Sequence, residues 1–317
     1  MAAETNSPTA PDVAPIHRSP VTARHLAQVN IGTPLYPLDH PGLAGFMDNL
    51  GLVNGLGEAS PGFVWRLQTP AGDATGVQVF DDPRVIINLT VWESIDDLRA
   101  FAYRGVHRDF FRRRLEWFEP GGSATALWWI PAGELPDEHD ARRRIEFLAR
   151  HGTSPYAFEI GTKQPALVIA RTDLHSEASR SLIAALDAHL TELYPDPTAN
   201  FFHLSAEQVA PGNGLFLTAT LDGQPVACGA YRKLEAGTAE VKRMYVAPGN
   251  RGMKLGAAIL SELEGHATRD GVRRMVLETG PLQHEAIGLY ERFGYRPTPA
   301  WGEYACAPAS ICFEHLL

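Results

Sequence analysis

The stretch that most restricts this chain is Val241-Lys242-Arg243-Met244-Tyr245-Val246-Ala247-Pro248-Gly249-Asn250-Arg251-Gly252-Met253-Lys254-Leu255-Gly256-Ala257-Ala258. A strand-forming run ends in a proline. A basic, glycine-containing turn follows, and a helix begins. Such a junction is an anion site, because the backbone N–H groups at a helix N-terminus point outward with the positive end of the helix dipole behind them. Glycine lets the backbone approach a phosphate closely, and Arg251 and Lys254 add charge. Taken alone, the turn also fits an ordinary strand–turn–helix with two solvated cations.

A second segment stands downstream: Gly280-Pro281-Leu282-Gln283-His284-Glu285-Ala286-Ile287-Gly288-Leu289-Tyr290-Glu291-Arg292-Phe293-Gly294-Tyr295. Around the two segments, periodicity predicts a strand at Ala166 to Ala170 and a helix from Ser176 to Leu193. Strands at Leu215 to Leu221 and Pro225 to Leu234 are joined by the hairpin signal Asp222-Gly223. A strand (Ala239 to Val246), a helix (Gly256 to Thr268), a strand (Arg274 to Glu278), a helix (His284 to Phe293) and a closing pair of strands complete the order. With this order, the strand-proline-RGxxxG turn and the AxxxYExxGY ending, the chain from about Ala166 to Leu317 resembles the GNAT N-acetyltransferase superfamily.

The resemblance implies acetyl-CoA as donor and direct transfer to a primary amine. It implies a pyrophosphate on the turn Arg251, Gly252, Met253, Lys254, Leu255, Gly256 and Ala257, and a pantetheine against the backbone from Met244 to Val246. Tyr290 matches the tyrosine placed near the thioester sulfur, where a phenol protonates the leaving thiolate. Glu240 matches the strand carboxylate that many relatives use as general base, with Glu278 and Glu303 as alternatives. An ammonium ion has no lone pair, so some base must take its proton. Read without the resemblance, Tyr290 is a core tyrosine of an amphipathic helix and Glu240 a solvent-facing strand residue. Two positions depart from the family pattern. Lys254 stands where glycine is usual, so that a side chain either narrows the phosphate cradle or adds a phosphate contact. Gln283 replaces the asparagine often found before the tyrosine helix.

A chain of 317 residues predicts two domains. Its 44% hydrophobic and 21% charged residues are ordinary globular composition, and a formal net charge of -9 argues against nucleic acid as partner. Three cysteines, Cys228, Cys306 and Cys312, have no metal-ligand or disulfide spacing, so no metal site is expected. They read as small buried apolar residues in a reducing cytoplasm. No apolar run spans a bilayer, so no membrane partner is expected. Residues 1–21, rich in Ala, Pro, Ser and Thr, read as a disordered tail.

The first half, 22–160, predicts strands at Leu26 to Ile31, Gly62 to Leu67, Val85 to Trp92 and Ala124 to Ile130. Helices are predicted over Gly42 to Ala59 and from Ser94, a cap with Asp96 and Asp97 behind it, to Phe118. This is the ferredoxin-like order; a helix from Glu138 to Arg150 follows, and the segment from His151 to Gln164 is the expected boundary before 164–317. The fold class is therefore α+β: a ferredoxin-like domain, for which the resemblance given next implies an α/β barrel, then a GNAT-type mixed sheet flanked by helices. On Ser60 to Leu67, Val91 to Ser94, His107 to Phe118 and Leu127 to Gly133, the first half resembles an uncharacterised family of dimeric α/β barrels related to antibiotic-biosynthesis monooxygenases. That resemblance implies a homodimer through the barrel half. It also opens a second hypothesis: the barrel is itself a small-molecule enzyme or binding module, cofactor-free or haem-dependent, with His107 as its base or haem ligand. The preferred reading of His107 is a satisfied helix histidine, and of Arg112, Arg113 and Arg114 a solvated face. The tryptophans Trp65, Trp92, Trp117, Trp128 and Trp129 read as core and interface mass.

Overall fold

The computed structural model describes residues 23–103, 105–195, 204–307 and 310–317; the expected tail and Arg104 lie outside them. The N-terminal sheet has four antiparallel strands, β1 (Arg24–Pro34), β2 (Phe63–Arg66), β3 (Ile86–Trp92) and β4 (Phe118–Pro131), ordered β2-β3-β1-β4. Helix α1 (Ala44–Glu58) joins β1 to β2, and helices α2 (Ile95–Ala102) and α3 (Gly105–Arg113) lie between β3 and β4. This is the expected ferredoxin-like pattern.

Strand alternation gives the sheet two different faces. Ala27, Val29, Leu89, Val91, Ala126 and Trp128 face Ala141 and Ile145 of α4 (Glu138–His151). The opposite face carries a chain of polar side chains. Trp92 Nε1 donates to Thr90 Oγ1 at 2.9 Å, and Thr90 Oγ1 donates to Gln28 Oε1 at 2.8 Å. Gln28 Nε2 and Asn88 Nδ2 both donate to Asn30 Oδ1, at 2.8 and 3.0 Å.

Two expectations for this half change. The single helix from Ser94 to Phe118 is two helices. Ser94 does cap the first, its Oγ accepting from Asp97 N at 3.1 Å, but that helix stops at Ala102. The next begins at Gly105, whose φ of 57° is open to glycine and costly for other residues. Strand β4 begins at Phe118 rather than Ala124, so that Gly121 and Gly122 lie inside it, where the register against β1 shifts between Gly32 and Pro34. Glycines in a strand here mark an irregularity of the ladder rather than a loop. The segment after α4 is packed: Tyr156, Ala157 and Phe158 are buried. Phe158 exchanges two backbone hydrogen bonds with Leu127, at 2.8 and 2.9 Å, and so covers the edge of β4.

The C-terminal sheet has seven strands: β5 (Leu167–Arg171), β6 (Gly214–Leu221), β7 (Gln224–Glu235), β8 (Thr238–Val246), β9 (Arg274–Thr279), β10 (Arg296–Pro297) and β11 (Ile311–Leu316). Their order is β10-β11-β9-β8-β7-β6-β5, with β8 and β9 parallel and the other neighbours antiparallel. Asp222 and Gly223 take φ of 49° and 84°, the left-handed pair that a tight hairpin between β6 and β7 requires. Helix α5 (Glu177–Leu193) lays Leu182, Leu186 and Leu190 against Phe216, Cys228 and Tyr245 on one face. Helices α6 (Leu255–Arg269) and α7 (His284–Arg292) cover the other. Cys228 and Cys312 are buried as expected, whereas Cys306 is exposed.

The two sheets are joined through α4, which packs against α6. Arg144 Nη2 lies 2.6 Å from Glu262 Oε1, and its Nη1 donates to Tyr156 O at 2.8 Å. The guanidinium sits 3.5 Å from the Tyr156 ring centroid and 5.4 Å from that of Trp128. Tyr156 Oη donates to Glu262 Oε1 at 2.9 Å. Burial pushes the Glu262 carboxyl up, but Arg144 and Arg143 outweigh it and hold the group below its ordinary value. Among the described residues, no helix is long and apolar enough to cross a membrane.

Candidate active site

The site begins where β8 and β9 part. Their parallel pairing runs from Thr238↔Arg274 to Val241↔Leu277 and stops. Beyond it, β8 keeps its partner on the β7 side through Ala227↔Val246 and Cys228↔Tyr245, but has no β9 partner from Lys242 to Val246. A register shift between Cys228 and Ala230 drives the divergence: Arg243, with φ of 59°, belongs to the extra length on β8 opposite Gly229. An extra residue bends and twists the bulged strand. Gly229 is needed opposite it, since a Cβ there would lie 2.5 Å from Ile259 Cγ2 and 2.6 Å from Met244 Sδ. The backbone of Met244 and Val246 thus lines an open sheet edge, able to pair with an extended amide-bearing chain.

The strand passes through Pro248 into the turn. Gly252 has φ of 80° and open space where a Cβ would stand. The N–H groups of Gly252, Met253 and Lys254 find no acceptor among the described residues. Those of Leu255, Gly256 and Ala257 form the first turn of α6, where no intrahelical acceptor exists. Six consecutive amides at the start of one helix are thus left without an acceptor among the described residues, which fits a pyrophosphate. Arg251 stands at the rim, 3.6 Å from Glu285 Oε2. Lys254 neither fills the cradle nor points at it. Its backbone is left-handed, φ 64°, and its Nζ donates to His151 O and, at 3.1 Å, to Thr153 O. Both expectations for this lysine, a narrowed cradle and a phosphate contact, give way to a tie to α4. Gln283 occupies the N-cap position of α7 without a side-chain cap bond.

Tyr290, on α7, is buried with its ring beside Tyr295 and Phe313. Burial first, and the Glu278 carboxylate second, push its phenol well above the ordinary value, so it is protonated at neutral pH. Glu240 is not solvent-facing. It is fully buried, with Oε2 2.5 Å from Arg232 Nε and Oε1 accepting from Tyr304 Oη at 2.6 Å. Lys242 Nζ lies 2.7 Å from Tyr304 Oη and 3.5 Å from Glu240 Oε1. Glu303 joins this network from the surface, 3.1 Å from Arg232 Nη2. Both oxygens of Glu240 are thus engaged by protein donors. Glu278 is different. It is the first β9 residue past the last β8–β9 pair, so it stands at the mouth of the opening. Ser310 Oγ donates to its Oε1 at 2.7 Å, and burial pushes its carboxyl up.

Sequence reasoning passed over Arg232, Lys242, Tyr304 and Ser310. The available signal was charge at alternate positions, Glu240 and Lys242, of a strand whose intervening residues Ala239 and Val241 are apolar. His107 lies apart from all of this. Its Nδ1 sits 3.0 Å from Ala102 O and its ring packs on Phe101, at 4.6 Å between centroids. It bridges the end of α2 to α3.

Residues 175–295 match the family described as acetyltransferase (GNAT) family, and residues 25–172 match a domain of unknown function, DUF3291. The chain is 35% identical over 151 residues to the IAA acetyltransferase of Azospirillum brasilense, covering 47% of this chain and 97% of that protein. It is 34% identical over 90 residues to an uncharacterized N-acetyltransferase of Schizosaccharomyces pombe, covering 28% of this chain and 55% of that protein. A crystal structure of an acetyltransferase from Streptococcus agalactiae aligns at 18% identity and a TM-score of 0.40, covering 48% of this chain and 98% of that one. Through its C-terminal half, the chain belongs to the GNAT acetyltransferase family.

Proposed function

We propose that this enzyme moves an acetyl group from acetyl-CoA to a primary amine of a small molecule, with Glu278 as general base and Tyr290 as general acid. The observation that carries this reading is the parting of β8 and β9 with Glu278 at its mouth. The thioester supplies an activated acetyl group. The open edge at Met244 to Val246 holds the pantetheine amides, and the N–H groups of the turn hold the pyrophosphate. Glu278 takes the proton of the incoming ammonium, directly or through one water. The nitrogen lone pair then forms the C–N bond as the C–S bond breaks, the Tyr290 hydroxyl gives its proton to the departing sulfur, and the second proton shed by the acylated nitrogen restores the Tyr290 phenol through water. Glu240 keeps Arg232, Lys242 and Tyr304 in place rather than exchanging protons with the amine, because each of its oxygens is already held by a donor.

The test is release of free thiol from acetyl-CoA across a panel of amines, with calorimetry of acetyl-CoA binding beside it. Absence of acetyl-CoA binding would sink the proposal. For Tyr290→Phe, kcat is expected to fall about 100-fold, the usual scale for one positioned proton donor, with little change in KM for acetyl-CoA. A fall of less than about threefold would leave Tyr290 as a packing residue only.

A further inference from the structure

Lys254 is the residue of the turn whose backbone and side chain ask for different things. A φ of 64° favours glycine, which is what the GNAT signature has there. The side chain instead leaves the turn and donates to His151 O and Thr153 O at the C-terminal end of α4. His151 O closes α4 at the negative end of its dipole, where an ammonium is favoured, and Thr153 O follows two residues past it. Beside them the His151 ring stacks on Phe293, just past α7, with centroids 5.5 Å apart and planes 14° from parallel. Helices α4 and α6 run antiparallel, and the tie at Lys254 is one of three along their length. Arg144 and Glu262 join them in the middle. At the far end Arg269 lies 3.5 Å from Asp137 Oδ2 and 2.5 Å from Asp140 Oδ1.

We propose that the N-terminal half is a structural part of the acyl-CoA site, and that Lys254 is the positioning residue that transmits its support. Held on two carbonyls, the ammonium acts on the cofactor through the backbone: it keeps the left-handed turn, and with it the N–H groups of Lys254 and Leu255, aimed into the cradle. The docked end of α4 is the fixed point against which the turn is set. This inference rests on the reading of the turn as the acyl-CoA pyrophosphate site.

The experiment uses the full chain and acetyl-CoA as the probe. Lys254→Gly gives the backbone the residue its φ favours and removes only the tie, so it decides the matter even where Lys254→Met fails to fold. Acetyl-CoA affinity is expected to fall about tenfold in Lys254→Gly and to stay within about threefold of wild type in Lys254→Arg, which keeps donors for both carbonyls. The loss should appear in KM for acetyl-CoA rather than in kcat. Hydrogen exchange adds a readout that simple destabilisation would not produce: acetyl-CoA should slow exchange over residues 152–154 in wild type and not in Lys254→Gly. Wild-type affinity in Lys254→Gly, or no effect of acetyl-CoA on exchange at 152–154 in wild type, overturns the proposal while leaving the cofactor reading intact. No binding of acetyl-CoA to wild type removes both.

Discussion

Glu278→Gln is expected to lower kcat/KM about 100- to 1,000-fold and to remove the acidic limb of the pH–rate profile, as loss of a general base does. Burial raises the Glu278 carboxyl above its ordinary value, and Ser310 and Lys242 offset this only in part. At low pH the group is protonated and cannot accept a proton from the amine. Activity should therefore rise with pH through the raised value. The glutamine keeps the size of the side chain and the acceptor for Ser310 but has no proton affinity to use. A pH series of kcat/KM on both proteins checks this. Glu240→Gln is the informative contrast. If Glu240→Gln abolishes the acidic limb and Glu278→Gln does not, the base has been assigned to the wrong carboxylate.

Glu262→Ala should produce the largest loss of stability. It leaves Arg144 buried between two aromatic rings without its carboxylate, and breaking a buried pair by removing one partner costs about 3–5 kcal/mol. On a chain of this size that is a fall in Tm of roughly 10 °C, measurable by calorimetry. Because the folded carboxyl lies below its unfolded value, its contribution is fully present above the unfolded value and is lost as pH falls through the folded one. The gap in Tm between the two proteins should be widest near neutral pH and narrow only in strongly acidic buffer. The double variant Arg144→Met with Glu262→Leu should recover most of the loss, since apolar replacement of a whole buried pair is often neutral or better. A double variant as unstable as Glu262→Ala would mean that packing around the pair, and not the charge, dominates.

Much of the architecture was legible because it is written in local terms. The strand-forming runs of β1, β3, β6 and β7, the Ser94 cap and the Asp222-Gly223 hairpin each act within a few residues, and each falls where the sequence places it. The turn from Pro248 into α6 was legible for the same reason. What escaped depends on residues distant in sequence. Whether Glu240 faces solvent is decided by Tyr304, 64 positions away, and the fate of Lys254 by carbonyls 101 and 103 positions before it. No local rule assigns a lysine in a glycine position to the end of another helix. The break between α2 and α3 was missed because the apolar spacing continues across Gly105, while the backbone there does not.

The polar chain on the N-terminal sheet has a consequence of its own. Gln28 and Thr90 are direct cross-strand partners, as are Asn30 and Asn88. A slip of β1 by one residue would set these amides against the aliphatic face of β3 and strand several buried donors and acceptors at once. The aliphatic side chains alone would tolerate a slip of two residues, which keeps each on its own face. The amides would not, and so they act as an internal check on alignment, accepting one pairing of β1 with β3 and rejecting its neighbours while the sheet is still being assembled.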